Sequence, residues 1–260
     1  MNPMSFIDVH SHLQDEKFVN DIDTCVENAK NAGVNRIINA ASNIEESVQI
    51  QKIAEKYDEC YAMAGIHPHN ASEFDQAGIS TLKQLLNKPK VLGIGEIGLD
   101  FHYDFSERDV QIEVFKKLWA LGAELKLPVV VHIREAYKAF FDSIENMPAP
   151  PKVLLHCFSG SLETAKQAEK LGYNFSIGGV LTFPNSKKTA EVFSYLPLER
   201  IHLETDCPYL SPQGKRGKRN EPANLPIIAE YLAKLRGISL EELAQKLSGN
   251  AKAFFGDKLK

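Results

Sequence analysis

Short apolar runs alternate with longer amphipathic stretches along the whole chain. Most of these runs are rich in β-branched or aromatic residues, and several are almost continuously hydrophobic, which is typical of strands buried on both faces. Eight runs meet this description, and we predict a strand in each: 5–10, 36–41, 60–66, 91–97, 128–133, 152–158, 174–180 and 200–206.

The stretches between these runs place apolar residues at helical spacing. Residues 21–34 predict a helix that stops near a glycine. Residues 106–126 predict a helix with Ser106 as its N-cap, and Ser161 is predicted to cap the helix that follows the sixth strand. The last stretch, 239–256, predicts a capped helix that packs on the sheet.

The regular alternation of eight strands with helices predicts an α/β fold, the (β/α)8 TIM barrel. The 260 residues suit a single domain over 1–260, because barrels of this class commonly reach that length. An open, doubly wound sheet is the alternative, but no glycine-rich G-x-G-x-x-G loop follows the first predicted strand.

Composition narrows the class of protein. A formal net charge of −4 and a pI of about 6.1 argue against a protein that coats duplex DNA, but not against an enzyme that grips one or two phosphates. Four cysteines without a CxxC pattern indicate reduced thiols and a cytoplasmic protein. We expect neither a signal peptide nor a membrane span, since the sequence shows no basic and apolar leader and no long apolar run.

Metal-ligating side chains fall at the predicted ends of the strands. His10 ends the first strand, and His12 points the same way, because alternate residues of a strand share a face. The fourth, fifth, sixth and eighth strands end with Glu96, His132, His156 and Asp206. Barrel enzymes build their active sites at the C-terminal ends of the strands, so we expect these six side chains at one rim.

A single histidine at a strand end is more often a core residue bonded to its neighbours than a metal ligand. The joint pattern of four histidines and two acids, without a thiolate, favours a catalytic metal centre over a cysteine-rich structural one. Six ligands are too many for one ion with an open position and are enough for two divalent ions that share a carboxylate. Zinc, manganese, nickel, iron and magnesium all remain open.

Seven short motifs follow one another along the chain: "DVHSHL" (8–13), "GIHPH" (65–69), "GEIGLDF" (95–101), "VVVHIREA" (129–136), "LLHCFSG" (154–160), "ETDCPYL" (204–210) and "RGKRNEP" (216–222). In these motifs and their order the sequence resembles the TatD-like metal-dependent hydrolases of the amidohydrolase superfamily. The resemblance implies a TIM barrel with a divalent metal centre and hydrolytic activity, usually described as that of a DNase. Carried over by position, His10, His12 and Asp206 hold one ion, His132 and His156 hold the second, and Glu96 bridges them.

Such a pair of ions would account for hydrolysis of a phosphodiester at this site. Two ions about 3.5–4 Å apart can share a water, lower its pKa from about 15.7 toward about 7, and clamp the oxygens of an in-line displacement. Asp206 is the candidate general base, since a ligating carboxylate also reaches the shared water. We therefore predict Asp206 and Glu96 as the catalytic residues.

Three further features have both a functional and a structural interpretation. His67 follows the third strand and is predicted to bind substrate phosphate; a loop histidine bonded to backbone is the alternative. Arg134 shares the direction of His132 and is predicted to contact phosphate; a partner for the Asp100 carboxylate is the alternative. The basic run 214–219 follows the Asp206 strand and could grip phosphate locally, or form a solvated loop.

Three functions are compatible with these features. The first is a metal-dependent deoxyribonuclease that acts on DNA from an end or on single strands. The second is hydrolysis of another ester or amide at the same site, as by an aminoacyl-tRNA deacylase or a small-molecule amidohydrolase. The third is a metal-binding partner protein without catalysis, which an open rim disfavours, because structural ions are usually enclosed. The oligomeric state is left open.

Overall fold

A computed structural model describes residues 4–259; the ends of the predicted 1–260 domain, residues 1–3 and 260, lie outside the described residues. Every strand is parallel to its neighbours and pairs with the next strand along the chain, in the order β1 to β8. The strands are β1 Phe6–Ser11, β2 Val34–Ala40, β3 Cys60–Ala64, β4 Val91–Asp100, β5 Val129–Arg134, β6 Val153–Leu155, β7 Asn174–Ile177 and β8 Ile201–Leu203.

The segment after β8 returns to β1 and brings the two edges of the sheet together. The backbone N–H of Asp206 donates to the His10 carbonyl (2.9 Å), and the N–H of His12 donates to the Cys207 carbonyl (2.8 Å). Thr205 adds two hydrogen bonds, from its backbone N–H and its hydroxyl, to the buried Asp8 carboxylate. The (β/α)8 barrel is therefore confirmed, and the open doubly wound alternative is wrong.

Helices follow the strands in the predicted alternation. The α-helices of the described chain are α1 Ile22–Asn31, α2 Ile44–Lys56, α3 Gln76–Leu86, α4 Arg108–Leu125, α5 Tyr137–Ile144, α6 Leu162–Lys170, α7 Lys187–Tyr195, α8 Leu225–Arg236 and α9 Leu240–Phe255. Short 3-10 helices lie in several connections, at Glu16–Phe18, Pro68–Glu73, Gly179–Thr182, Leu198–Arg200, Pro222–Asn224 and Gly256–Lys258. Within residues 4–259, no helix combines the length and the hydropathy needed to cross a bilayer.

Two of the three predicted helix caps that the structure describes are present. The Ser161 hydroxyl accepts the N–H of Thr164 and caps α6, and Ser239 caps α9 in the same way. The prediction that Ser106 caps α4 is wrong, because the helix begins at Arg108. The Ser106 hydroxyl instead donates to the His69 carbonyl, at 3.0 Å, and so joins the loop after β4 to the loop after β3.

Buried apolar side chains form two cores, one on each side of the sheet. The larger core lies between the sheet and the helices and includes Trp119. The smaller core fills the barrel interior, where Ile7 and Val9 of β1 meet Phe254 and Phe255 of α9. The C-terminal helix therefore closes the N-terminal end of the barrel, and the opposite end is left for polar chemistry.

Candidate metal centre

A bulge in β1 turns His10 and His12 into the barrel. Ile7 and Val9 already point inward, so strict alternation would send both histidines outward, to the helices. Between Asp8 and Ser11, however, β1 advances three residues while β2 advances two, from Ile37 to Asn39. The extra residue reverses the alternation, and the two imidazoles face the barrel mouth.

Glu96 reaches the same place through a second bulge. Residues Ile94 to Ile97 of β4 advance three positions while Val129 to Val131 of β5 advance two. Glu96 lies inside this bulge and is almost completely buried. It lies within β4, which continues to Asp100, rather than at the end of the strand as predicted.

One oxygen of Glu96 faces the ligands supplied by β1 and by the segment after β8. Glu96 Oε2 is 3.1 Å from His10 Nε2 and 3.9 Å from His12 Nε2. Asp206 Oδ1 lies 3.3 Å from His12 Nε2 and 3.9 Å from His10 Nε2. These four side chains converge on one small volume, although up to about 200 residues separate them in the chain.

The other oxygen of Glu96 faces the ligands of β5 and β6. Glu96 Oε1 is 2.9 Å from His132 Nδ1 and 2.7 Å from His156 Nε2, and the two nitrogens are 3.3 Å apart. The ring of His10 stacks on that of His156, with centroids 3.9 Å apart, and joins the two groups. The Glu96 carboxylate thus lies between two groups of candidate ligands, one with two nitrogens and an oxygen and the other with two nitrogens.

Acceptors hold the far sides of the His12 and His132 rings, and a carboxylate lies near that of His156. The Nδ1–H of His12 donates to the Ala40 carbonyl (2.9 Å), which leaves Nε2 directed at Asp206. Asp100 lies behind Nε2 of His132, at 3.1 Å, and Glu204 lies 3.6 Å from Nδ1 of His156. Such backing fixes the tautomer and orientation of an imidazole, as is usual around metal ions.

The donor set fits divalent ions. The ligand atoms around one tetrahedral ion are about 3.4 Å apart, given metal–nitrogen bonds near 2.1 Å, and the separations here scatter around that value. Three groups of side chains bring their ligand atoms within 4.8 Å of one another: His10–Glu96–His156, His10–His12–Asp206 and His67–Glu96–His132. The seven side chains in these clusters are buried or nearly buried and include no arginine or lysine, so cations suit them as partners.

The electrostatic environment keeps both acids ionised. Burial opposes a charge on Glu96, yet the imidazoles of His156, His10 and His67 hold the pKa of its carboxyl well below the usual range. Burial also opposes a charge on Asp206, but the hydrogen bond from His12 and the imidazole of His156 keep its pKa below the usual value. Both side chains are therefore carboxylates at neutral pH and can ligate cations.

A cavity of about 510 Å³ opens above these residues at the C-terminal end of the barrel. The predicted substrate-binding residues His67 and Arg134 line it, together with all of the predicted metal ligands except His10, which is fully buried. The site therefore has room for a substrate next to its ligands, as expected of a catalytic centre.

Comparisons with known proteins agree with this geometry. Residues 7–256 match the model of the family of TatD related DNases. The chain belongs to the TatD family. A metal-dependent hydrolase from Bacillus subtilis, YabD, is 37% identical over 249 residues, which cover 95% of this chain and 98% of that protein.

Two further TatD relatives extend the comparison. The TatD protein of Pantoea ananatis, named a 3′-5′ ssDNA/RNA exonuclease, is 37% identical over 256 residues and covers 96% of this chain and 98% of its own. The crystal structure of YjjV, a TatD homologue from Escherichia coli K12, superposes with a TM-score of 0.91 at 32% identity, over 96% of this chain and 97% of that one. Family membership confirms the prediction of a metal-dependent hydrolase and gives no support to the alternative of acyl ester or amide hydrolysis.

His67 makes a backbone hydrogen bond and also faces the TatD cavity. Its Nδ1 accepts the N–H of His69 at 3.2 Å, so the proton of the neutral ring is on Nε2. Nε2 lies 3.6 Å from Glu96 Oε1. Burial holds the pKa of His67 well below its usual range, so the ring is a neutral hydrogen-bond donor toward the cavity.

The alternative role for Arg134, as the partner of Asp100, is not observed. The Asp100 carboxylate is taken up by the rings of His132 and His69 and by the backbone N–H groups of His102 and Tyr103. Within residues 4–259, the guanidinium of Arg134 has no hydrogen bond or ion pair, and it lines the cavity. An unpaired positive charge is thus available beside the metal ligands.

The basic run 214–219 lies apart from the cavity lining. Arg219 forms ion pairs with Asp21, at 2.6 Å, and with Glu221, at 2.8 Å, so its charge is neutralised within the fold. The other cations of the run are exposed, as in the solvated-loop alternative: Lys215, Arg216 and Lys218.

Several residues at the site have positions that the sequence does not predict. Glu204 lies in the motif "ETDCPYL", but only the fold places it behind His156. The hydrogen bond from His69 to Asp100, at 3.0 Å, likewise depends on the fold. The segment "HYDF" (102–105) after β4 contains two aromatic residues. Loop residues lack the regular spacing of apolar positions from which strands and helices are predicted, so only the structure shows that these rings lie at the cavity.

Proposed function

We propose that this chain is a divalent-metal-dependent nuclease that removes nucleotides from the 3′ end of single-stranded DNA. One observation carries the proposal: the two oxygens of Glu96 face two separate ligand groups at the floor of an open cavity. The Pantoea ananatis relative, named for the same activity on DNA and RNA, supports the choice of substrate and polarity.

The residues present would hold two ions. His10, His12 and Asp206 form the first ligand group, and His132 and His156 form the second. Glu96 bridges the groups because each of its oxygens faces one of them. The mixed nitrogen and oxygen set suits zinc, manganese, nickel or iron, and magnesium with additional waters.

When bound, the ions would supply Lewis acidity that activates a water and balances charge on the phosphate oxygens. Asp206 reaches from the ligand group toward the cavity, and we assign it the role of general base, with a proton received on its free carboxylate oxygen. Glu96 fixes the two ligand groups relative to each other. Its burial keeps that geometry rigid.

Two further residues would position the substrate. His67 lines the cavity with its proton on Nε2, from which it would donate to a non-bridging phosphate oxygen. Arg134 offers an unpaired guanidinium on the same wall, whose fork of N–H donors matches a phosphate. Both contacts are made to the phosphodiester itself, so they would bind the strand independently of its base sequence.

A substrate panel tests the proposal. A 5′-labelled single-stranded DNA, the same strand in a blunt duplex, a single-stranded RNA, a generic phosphodiester and a charged tRNA would be incubated with Mg²⁺, Mn²⁺ or Zn²⁺. We expect a ladder that shortens from the 3′ end of the single strands and is abolished by EDTA and by Glu96→Ala. Release of the amino acid from tRNA without any cleavage of DNA would contradict the proposal.

A matched control separates loss of the metal centre from general damage to the cavity. Asp15 also lines the cavity, but its carboxylate bonds the Tyr209 hydroxyl and the backbone N–H of Lys17, away from Glu96. Asp15→Asn is expected to retain at least half of the wild-type rate, whereas Glu96→Ala is expected to retain none that is measurable.

A further inference from the structure

Two exposed aromatic rings lie beside the cavity, in the turn after β4. The side chains of Tyr103 and Phe105 are parallel, with an interplanar angle of 6° and centroids 5.3 Å apart. Tyr103 is 49% exposed and Phe105 is 68% exposed. A stacked pair of exposed rings at the edge of a cavity is more informative than a single exposed apolar residue, which is common on any surface.

Arg134 extends this aromatic pair. Its guanidinium carbon lies 4.7 Å from the centroid of the Tyr103 ring, and both side chains line the cavity. Three flat groups therefore form a continuous surface next to the candidate metal ligands, here called the aromatic wall (Tyr103, Phe105 and Arg134). Its combination of π faces with a positive charge suits a ligand that is both flat and anionic.

The aromatic wall is fixed relative to the metal centre by one carboxylate. Asp100 Oδ1 accepts the backbone N–H of Tyr103, at 3.1 Å, and that of His102, at 3.0 Å. The other oxygen, Oδ2, lies 3.1 Å from Nε2 of His132. The same side chain thus orients a candidate metal ligand and the turn that displays the ring.

We propose that the aromatic wall stacks a nucleobase of the unpaired strand next to the phosphodiester that is cleaved. The inference rests on the proposed nuclease function and adds the part of the site that selects single strands. A base stacks on an aromatic or guanidinium face whatever its identity, but only when its own face is free. Paired bases inside a duplex are already stacked on their neighbours, so the wall favours frayed or single-stranded ends.

Tyr209 is the competing surface for the same base. It follows β8, on the opposite side of the barrel mouth from β4, and it is also 49% exposed. Its hydroxyl is bonded to Asp15, and the ammonium of Lys17 lies 5.1 Å from its ring centroid. Tyr209 is a single ring, whereas the aromatic wall combines two stacked rings with a guanidinium, and its outer ring, Phe105, is the more exposed at 68%. We therefore assign the base to the aromatic wall.

Fluorescence of 2-aminopurine tests the assignment without turnover. The probe is a short DNA strand with 2-aminopurine at its 3′ terminus and a phosphorothioate at the last linkage, to slow hydrolysis. Stacking on the wall would quench the emission on addition of wild-type protein with Mn²⁺. Tyr103→Ala and Phe105→Ala are expected to lose most of this quenching, and Tyr231→Ala, which removes an exposed ring of α8, is expected to keep it.

Steady-state kinetics provide the second readout. On a normal strand, Tyr103→Ala is expected to raise KM about tenfold with little change in kcat, because a base contact made equally in the ground and transition states affects binding alone. On a strand whose 3′-terminal nucleotide is abasic, wild type and Tyr103→Ala should behave alike.

The outcomes separate this inference from the proposed function. Quenching that persists in Tyr103→Ala and disappears in Tyr209→Ala would overturn the assignment of the base to the wall while leaving the nuclease intact. Normal cleavage with no preference for a base over an abasic terminus would overturn it as well. If the wild type quenches the probe but cleaves no strand with any metal tested, the proposed nuclease function is contradicted. Base stacking on the aromatic wall is then still supported.

Discussion

Asp100 lies behind the ring of His132, with its Oδ2 3.1 Å from the imidazole Nε2. Nδ1 of the same ring points to the opposite side, toward Glu96 and His156. Burial opposes a charge on Asp100, but the hydrogen bonds from His132 and from the backbone of Tyr103 hold the pKa of its carboxyl far below the usual value. The proton between the two side chains therefore stays on His132 Nε2, which leaves Nδ1 as the ring nitrogen that faces Glu96 and can ligate a cation.

This relationship predicts the effect of Asp100→Asn. The amide is a weaker acceptor and can present its NH2 group instead, so the ring of His132 loses its fixed tautomer. We expect metal affinity to fall about 10- to 100-fold, as for other partners behind ligating imidazoles, while the far-UV circular dichroism is unchanged. Titration calorimetry with Mn²⁺ measures the loss.

Asp104 provides the control for this variant. It lies in the same turn, and its carboxylate is paired with Arg108 on the surface, at 2.7 Å. Asp104→Asn should bind Mn²⁺ as the wild type does. Equal affinities for all three proteins would show that Asp100 does not orient His132.

Asp206→Asn separates ligation from proton transfer. The amide oxygen can still face the metal, but the side chain no longer accepts a proton from water. We expect the variant to retain most of its bound metal and to lose about 10²- to 10⁴-fold in kcat, the range typical of a missing general base. Metal content by mass spectrometry and turnover on single-stranded DNA are measured on the same samples; unchanged turnover would remove Asp206 from the role of base.

The barrel, and the meeting of the candidate ligands at its C-terminal end, could be predicted from the sequence. Buried parallel strands are nearly continuous in hydrophobicity, so they are visible as runs, and ligands at their ends stand out as polar interruptions. The orientation of the ligands could not be predicted so securely. Val9 and His10 are neighbours in β1, yet both side chains face the barrel interior. Regular alternation would place them on opposite faces of the sheet, and the bulge between Asp8 and Ser11 is what allows them to share one face.

Features that depend on contacts between loops could not be predicted from the sequence. The position of Ser106 illustrates this: its hydroxyl has the chemistry of an N-cap, yet it bonds the loop after β3, because the helix begins two residues later. Likewise, Tyr103 and Phe105 are unremarkable in the sequence, and their stacking beside Arg134 arises from a turn held by Asp100.

His202 gives stability a dependence on pH. The ring is buried in the barrel next to Phe254, with a contact to the Asn174 side chain, and burial lowers its pKa from 6.5 to about 3. As pH falls below about 6.5, the unfolded chain takes up a proton on this ring while the folded protein does not. Stability from this group is therefore complete above pH 6.5 and declines toward pH 3, by up to about 1.4 kcal/mol per pH unit.

His202→Gln removes this titration. The free energy of unfolding, measured by urea denaturation between pH 7 and pH 4.5, should fall less steeply with decreasing pH than in the wild type. The comparison of slopes is independent of any constant loss of packing caused by the substitution. Identical slopes in the two proteins would contradict the assignment.

Arg219 is predicted to stabilise the fold rather than bind substrate. Its guanidinium pairs with Asp21 and Glu221 and lies 4.5 Å from the ring centroid of Phe18. Arg219→Met should lower the free energy of unfolding by about 1 kcal/mol, as expected for a partly exposed ion pair, and leave KM for single-stranded DNA unchanged. Lys218→Met, at an exposed neighbour, should change neither; a raised KM in Arg219→Met alone would indicate a phosphate contact.

Anomalous scattering from crystals grown with Mn²⁺ tests the central claim most directly. The account predicts two peaks, one on each side of the Glu96 carboxylate, with the first held by His10, His12 and Asp206 and the second by His132 and His156. A single peak, or peaks bound away from Glu96, would contradict the account of a bridged metal pair.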